Sequence, residues 1–164
     1  MSEAMMTTAL ASARSFLFVP AHRPERYARA LASGADAVIV DLEDAVAPAD
    51  KPAARQALVQ AVAGLDAAQR GRLLVRINAD GTPWHADDLA ALRGLVSRGL
   101  VAVMVPKAES AAALAEGAAA AGPACALLPL IESVAGLDAV DALAACPQVL
   151  RLAFGHLEIG RAHV

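Results

Sequence analysis

Aromatic residues are nearly absent from this 164-residue chain: three Phe, one Tyr and one Trp, 3% in all. A core without large rings must be filled by small and aliphatic side chains. The 57% hydrophobic content agrees, since much of it is alanine. Cysteine is scarce too. Cys125 and Cys146 form neither a CxxC pair nor a zinc-ligand pattern, which excludes a disulfide scaffold and a zinc module. Each sits among apolar residues as a small hydrophobe, which suits a reducing cytoplasm. There is no Lys/Arg block; net charge is −3 and the pI about 5.7. A nucleic-acid partner is therefore disfavoured, and an anionic substrate would need a local Arg or Lys. No apolar run reaches the length of a membrane span. The stretch from Gly117 to Ile131 comes closest, but Gly122, Pro123 and Pro129 break it. Met1 to Ala13 lacks the basic and apolar segments of a signal peptide, so residues 1–13 are expected to be a disordered leader.

What is present is an alternation of strands and helices. Ala37-Val38-Ile39-Val40 runs straight into Asp41, Glu43 and Asp44. A short β-branched run of this kind reads as a strand buried on both faces, as in a parallel sheet. Carboxylates have no place in such a core, so the strand surfaces at Asp41. The alternative is a plain solvated acidic turn. Further strands are expected at 15–19, 72–78, 101–105, 125–131 and 149–154. Helices are expected from His22 to Ser33 (ended by Gly34), Asp50 to Val62, Trp84 to Ser97, Ser110 to Gly122 and Ala135 to Ala145. Six strands alternating with five helices predict an α/β fold with a parallel sheet. A doubly wound sheet and a (β/α)₈ barrel both fit. No Gly-rich phosphate loop follows the first strand, which counts against a dinucleotide fold. A barrel needs eight strands in roughly 250 residues.

Each strand ends in polar or turn residues, and that is where α/β folds place their chemistry. Arg76 ends a strand that is otherwise apolar. Its guanidinium can grip a substrate carboxylate through two parallel hydrogen bonds, or pair with an acid of the second strand. Glu132 follows Leu127-Leu128-Pro129-Leu130-Ile131, where a carboxylate needs a partner. A divalent cation is one such partner, a salt bridge another. Mg²⁺ takes one or two protein carboxylates and leaves its other positions to water and substrate. Glu158, after the sixth strand, is the next strand-end acid. His22 and His156 carry little information, and His85 is expected on a solvated helix face. Lys107 could form a Schiff base by position, but an ion pair with nearby acids is favoured because they stabilise its charged form. No Ser-His-Asp order or nucleophile elbow is present.

Several spaced motifs then resemble one family. Arg14-Ser-Phe-Leu-Phe-Val-Pro20, Arg23-Pro-Glu-Arg26, Asp41-Leu-Glu-Asp-Ala-Val46 and Val75-Arg-Ile-Asn78 occur in order. Gly81-Thr-Pro-Trp84, Val105-Pro-Lys107, Pro129-Leu-Ile-Glu-Ser133 and Leu152-Ala-Phe-Gly155 continue the series. Together they resemble the HpcH/HpaI aldolase/citrate lyase family, in its citrate lyase beta-subunit-like branch, over residues 14–157. The resemblance implies a TIM-type (β/α)₈ barrel, of which only the first six β/α units are present. It implies Mg²⁺-dependent cleavage or formation of a C–C bond in a 3-hydroxy acyl-CoA or a related hydroxy or 2-oxo acid. By this match Arg76 and Glu132 are catalytic and substrate-binding. Glu132 and position 158, an Asp in the family and Glu158 here, are the metal ligands. Glu43 and Asp44 hold metal-bound waters, and Arg23 is a candidate contact to CoA. A homo-oligomer, trimer or hexamer, is the expected assembly, in the cytoplasm and with no membrane partner.

The resemblance stops after Leu157. The last seven residues, Glu158-Ile-Gly-Arg-Ala-His-Val164, read as a translated sequencing adapter, so 158–164 is expected to be a non-native tail. The chain is accordingly expected to be an inactive piece of an active lyase. Two other readings remain: a phosphoenolpyruvate-type barrel enzyme, and a non-catalytic subunit of a larger lyase complex.

Overall fold

The computed structural model describes residues 9–155. Six parallel strands follow one another in the order β1-β2-β3-β4-β5-β6. They are β1 (Phe16–Pro20), β2 (Ala37–Asp41), β3 (Leu73–Arg76), β4 (Ala102–Val105), β5 (Ala126–Ile131) and β6 (Ala153–Phe154). A doubly wound sheet reverses its strand order at a switch point. Here the order never reverses, which is the topology of a barrel.

The sheet is curled into a half-barrel. Flat, its edge strands would lie five spacings apart, roughly 24 Å. Yet Arg151, just before β6, donates from Nη1 to the carbonyl of Ala13 at 2.6 Å and sits 5.4 Å from the ring centroid of Phe16 in β1. Leu10, Phe16, Leu150 and Ala153 share one apolar cluster with Ile39, Leu74, Met104 and Leu128. That cluster is the concave face. Residues 9–12 are helical and Leu10 is 1% exposed. Ordered structure thus begins before the boundary expected at residue 14.

The convex face carries the helices: α1 (Tyr27–Leu31), α2 (Lys51–Ala63), α3 (Ala67–Arg70), α4 (His85–Val96), α5 (Ala111–Ala121), α6 (Val134–Asp138) and α7 (Val140–Ala144). Val38, Val40, Leu73, Val75 and Val103 meet Leu58, Val62, Leu92, Leu95 and Leu114 there. Full burial of each such side chain contributes roughly 1.5–3 kcal/mol.

Local signals account for most helix boundaries. The Ser110 hydroxyl caps α5 by accepting from the amides of Ala112 and Ala113, and Gly122 closes it at φ 82°. Asp50 was expected to cap α2, but its side chain makes no capping bond; a 3₁₀ turn over Pro48–Asp50 leads into that helix instead. The helix expected from His22 is likewise a 3₁₀ turn, Pro24–Arg26, followed by α1. One short helix was not foreseen. The α3 helix rests on a reciprocal capping box between Asp66 and Gln69.

Candidate active site

Side chains on a strand alternate between faces, so residues of one parity line the concave side. Its lower layers are apolar: Ala37 and Ile39 on β2, Leu74 on β3, Ala102 and Met104 on β4, Ala126, Leu128 and Leu130 on β5. Two residues further along each strand the same parity delivers Asp41, Arg76 and Glu132. All three are buried, at 1%, 8% and 7% exposure. The apolar floor thus ends in a charged layer at the carboxyl ends of the strands.

Asp41 and Arg76 are register partners. Arg76 Nε donates to Asp41 Oδ1 at 2.8 Å, and Nη2 donates to Oδ2 at 2.7 Å. Asp41 Oδ1 also accepts the Glu43 amide at 2.8 Å, and Oδ2 the Ala45 amide at 3.0 Å. Four donors on two oxygens leave this carboxylate fully engaged. They also turn the chain sharply after β2, which brings Glu43 back over the layer. The two-point grip expected for a substrate carboxylate is therefore closed on Asp41. Nη1 faces Glu43 Oε2 at 3.0 Å and Asp44 Oδ2 at 3.3 Å. Burial opposes the guanidinium's charge, but Asp41's hydrogen bonds and the carboxylates of Asp41, Glu43 and Asp44 hold its pKa above the usual value. The Phe18 ring lies 5.1 Å from the guanidinium carbon.

Glu43 is buried, and its Oε1 accepts from Lys107 Nζ at 3.0 Å. Its Oε2, despite the nearby Arg76, has no partner in hydrogen-bonding geometry. Burial raises the Glu43 pKa above 4.5, and the neighbouring Arg76 and Lys107 charges only partly offset it. The ion pair confirms the reading of Lys107 as a charged partner of the acids.

Glu132 Oε1 accepts the backbone N–H of Lys107 at 2.9 Å. Gly155, at the end of β6, passes so close that a Cβ there would meet Glu132 Cβ at 2.9 Å and Oε2 at 3.1 Å. Only glycine lets β6 close against this carboxylate.

A second tier supports the layer. Lys51 Nζ donates to the carbonyls of Leu42 and Glu43, each at 2.8 Å, and sits 4.9 Å from the Trp84 ring centroid. Burial lowers its pKa against the pull of the surrounding carboxylates. Asp88 accepts the Asn78 amide and side chain at 2.8 and 2.7 Å and Arg55 Nε at 2.7 Å. His85, expected on a solvated face, is buried, with Nδ1 2.8 Å from the Asn78 carbonyl. A carbonyl only accepts, so Nδ1 carries the proton. A cleft of about 500 Å³ opens between the loops after β2 and β3, lined by Glu43, Asp44, Lys51, Trp84 and Lys107 among others.

The remaining expected residues lie apart. Arg23 follows β1 and pairs with Glu25 at 2.5 Å on an exposed surface. Glu158, His156 and the tail 158–164 fall outside the described residues. Among the described residues no three His, Cys, Asp or Glu side chains converge as a metal site, and no helix is long and apolar enough to cross a membrane. The alternative that Arg76 pairs with an acid of the second strand is the one observed, with Asp41 as that acid. Sequence reasoning missed the supporting roles of Lys51 and Asp88.

The family profile described as HpcH/HpaI aldolase/citrate lyase matches residues 14–159. A citrate lyase subunit beta-like protein of Mycobacterium tuberculosis is 51% identical over 106 residues, covering 65% of this chain and 36% of that protein. An L-malyl-CoA/beta-methylmalyl-CoA lyase of Cereibacter sphaeroides is 34% identical over 152 residues, covering 87% of this chain and 48% of that one. Among solved structures, a citrate lyase beta subunit from M. tuberculosis complexed with oxaloacetate and magnesium superposes with a TM-score of 0.77. It is 42% identical, covering 92% of this chain and 61% of that one. Another from the same organism, holding magnesium, acetoacetate and coenzyme A, gives 0.75 at 42% identity over 91% and 51% of the two chains. This chain thus spans 36% and 48% of the two curated relatives.

Proposed function

Because this chain belongs to the HpcH/HpaI aldolase/citrate lyase family, we propose that the protein is a Mg²⁺-dependent carbon–carbon lyase. Its substrate class is a 3-hydroxy acyl-CoA or a related hydroxy or 2-oxo acid, as in citryl-CoA and malyl-CoA cleavage. The observation that carries this reading is the charged layer itself: Asp41, Arg76 and Glu132, each on the concave face at a strand's carboxyl end.

The residues fit the cation. Glu132 is a buried carboxylate at the mouth, and Glu43 Oε2 is a buried oxygen without a hydrogen-bonding partner. Mg²⁺ asks for only one or two carboxylates and retains waters. Glu132 and position 158 would hold it, and Glu43 with Asp44 would hold its waters. When bound it supplies Lewis-acid stabilisation of the negative charge that develops as the C–C bond breaks or forms.

The chain's own residues do the rest. Asp41 locks the Arg76 guanidinium on two of its nitrogens, so Nη1 is presented in a fixed direction. A substrate carboxylate that takes the place of Glu43 or Asp44 on Nη1 is oriented without further ordering of the arginine side chain. The same cation stabilises charge developing on the substrate. The apolar floor of Ile39, Leu74, Met104 and Leu128 keeps water from below the layer. Arg23 is the proposed contact to the CoA moiety.

Activity is proposed for a protein of the relatives' length. The chain of 164 residues is proposed to be inactive alone, because β1 and β6 leave their outer edges unpaired among the described residues. The test is a panel of 3-hydroxy acyl-CoA thioesters assayed with Mg²⁺ and with excess chelator. Thioester cleavage products that appear only with the metal support the reading; metal-independent turnover, or none across the panel by the longer protein, contradicts it.

A further inference from the structure

Lys107 stands between the two acids that matter most, and it holds each with a different part of itself. Its backbone N–H donates to Glu132 Oε1 at 2.9 Å, and its Nζ donates to Glu43 Oε1 at 3.0 Å. Glu132 follows β5 and Glu43 follows β2, so one residue after β4 spans the mouth from one side to the other.

The backbone at Lys107 is unusual. Its φ is 45°, in the left-handed region that side-chain-bearing residues seldom enter. That conformation follows Pro106 directly at the end of β4. A glycine there would adopt it at lower cost. A lysine is found instead, and its ammonium is what a glycine would lack. The rest of the turn is also fixed. The Ala108 amide donates to the Leu130 carbonyl at 3.2 Å, and Gly136 packs so close that a Cβ there would meet the Ala108 carbonyl at 2.7 Å. The turn is therefore clamped between β5 and α6.

We propose that Lys107 is a positioning residue that sets the geometry between Glu132 and Glu43. Its amide fixes Oε1 of Glu132, on a carboxylate whose Oε2 lies beside Gly155. Its ammonium takes Oε1 of Glu43, while the buried Oε2 of the same carboxylate faces Arg76 Nη1 at 3.0 Å. A carboxylate oriented in this way is the outer support that metal-binding residues depend on. This rests on the reading of Glu132 as a Mg²⁺ ligand. It adds a residue that acts through both acids and does not touch the reacting atoms.

The test compares Lys107→Met, Lys107→Arg and Lys107→Gly in the intact protein. Methionine keeps the stem and the amide but removes the ammonium; arginine restores a cation; glycine relieves the backbone and removes the side chain. Mn²⁺ binding is read by water-proton relaxation, together with kcat, KM and the thermal midpoint. The expected result is that methionine and glycine weaken Mn²⁺ binding and lower kcat by about 10- to 100-fold. KM changes by less, the midpoint of the methionine variant stays near wild type, and arginine recovers most of the loss. Wild-type Mn²⁺ affinity in Lys107→Met overturns the proposal while leaving the metal reading intact. A loss that follows the midpoint and is not rescued by arginine assigns Lys107 a merely structural role and overturns it too. If the wild-type protein binds no Mn²⁺, both readings fall together.

Discussion

Asp41 and Arg76 end adjacent strands in register and close on one another through two hydrogen bonds of 2.8 and 2.7 Å. The pair turns the rim of a half-barrel into a rigid charged ledge. An arginine that could have swung freely into the cleft is fixed by a carboxylate that has no capacity left for any other partner.

Breaking this pair is expected to be costly for folding. Asp41→Asn removes the charge on the two-point face of a buried guanidinium, leaving Glu43 and Asp44 on Nη1 alone, and weakens the turn to Glu43 and Ala45. Removing one partner of a buried pair costs roughly 3–5 kcal/mol. Urea unfolding of the intact protein should show that loss. Arg76→Met combined with Asp41→Asn should be less destabilising than the sum of the two single changes.

Glu43 gives a pH signature. Burial raises its folded pKa above 4.5. The folded state therefore binds the proton more tightly than the unfolded chain. Its contribution is most favourable below pH 4.5 and declines as pH rises through the folded pKa. Glu43→Gln should remove that decline. The check is chemical denaturation with chelator present across pH 4 to 8, expecting a flatter profile for the variant; parallel profiles would show that Glu43 does not titrate in this window.

Gly155 controls the space beside Glu132. Gly155→Ala places a methyl group 2.9 Å from Glu132 Cβ and 3.1 Å from Oε2, so the carboxylate must move. Displacing a ligand's support typically costs 10- to 100-fold in metal affinity, and roughly tenfold is expected here. Mg²⁺ titration of the variant measures it. Unchanged affinity would mean that Glu132 can shift without consequence, or that it is not a ligand.

The exposed edges predict the behaviour of the 164-residue chain alone. Leu17 and Phe18 on β1 are 39% and 45% exposed, and Phe154 on β6 is 59% exposed. Parallel edges that are unpaired among the described residues and carry apolar side chains favour self-association. Sedimentation at increasing concentration should show it, and Leu17→Lys should reduce it. A monodisperse, cooperatively unfolding and active 164-residue chain would contradict the proposal of inactivity.

Much of this architecture was legible in the sequence, for physical reasons. Parallel strands buried on both faces read as apolar runs, so β2 and β5 stood out. Ser110 and Gly122 bounded α5 because capping chemistry is local. The alternation of elements alone left a barrel and a wound sheet open, since strand order depends on pairing between distant residues; the spaced family motifs pointed to the barrel, and the strand order agrees. His85 was misplaced because its partner, the Asn78 carbonyl, is a backbone group that no side-chain pattern announces. Arg76 illustrates the limit most clearly. Its position at a strand end predicted a buried, functional cation, but only the register of β2 against β3 shows that Asp41 takes its two-point face.

The most direct test of the account is calorimetric titration of Mg²⁺ into the intact protein and into its Glu132→Gln variant, with matched circular dichroism to confirm folding. The account predicts binding by the wild-type protein and its loss in the variant, with turnover lost in parallel. Equal Mg²⁺ binding by the two proteins would contradict it.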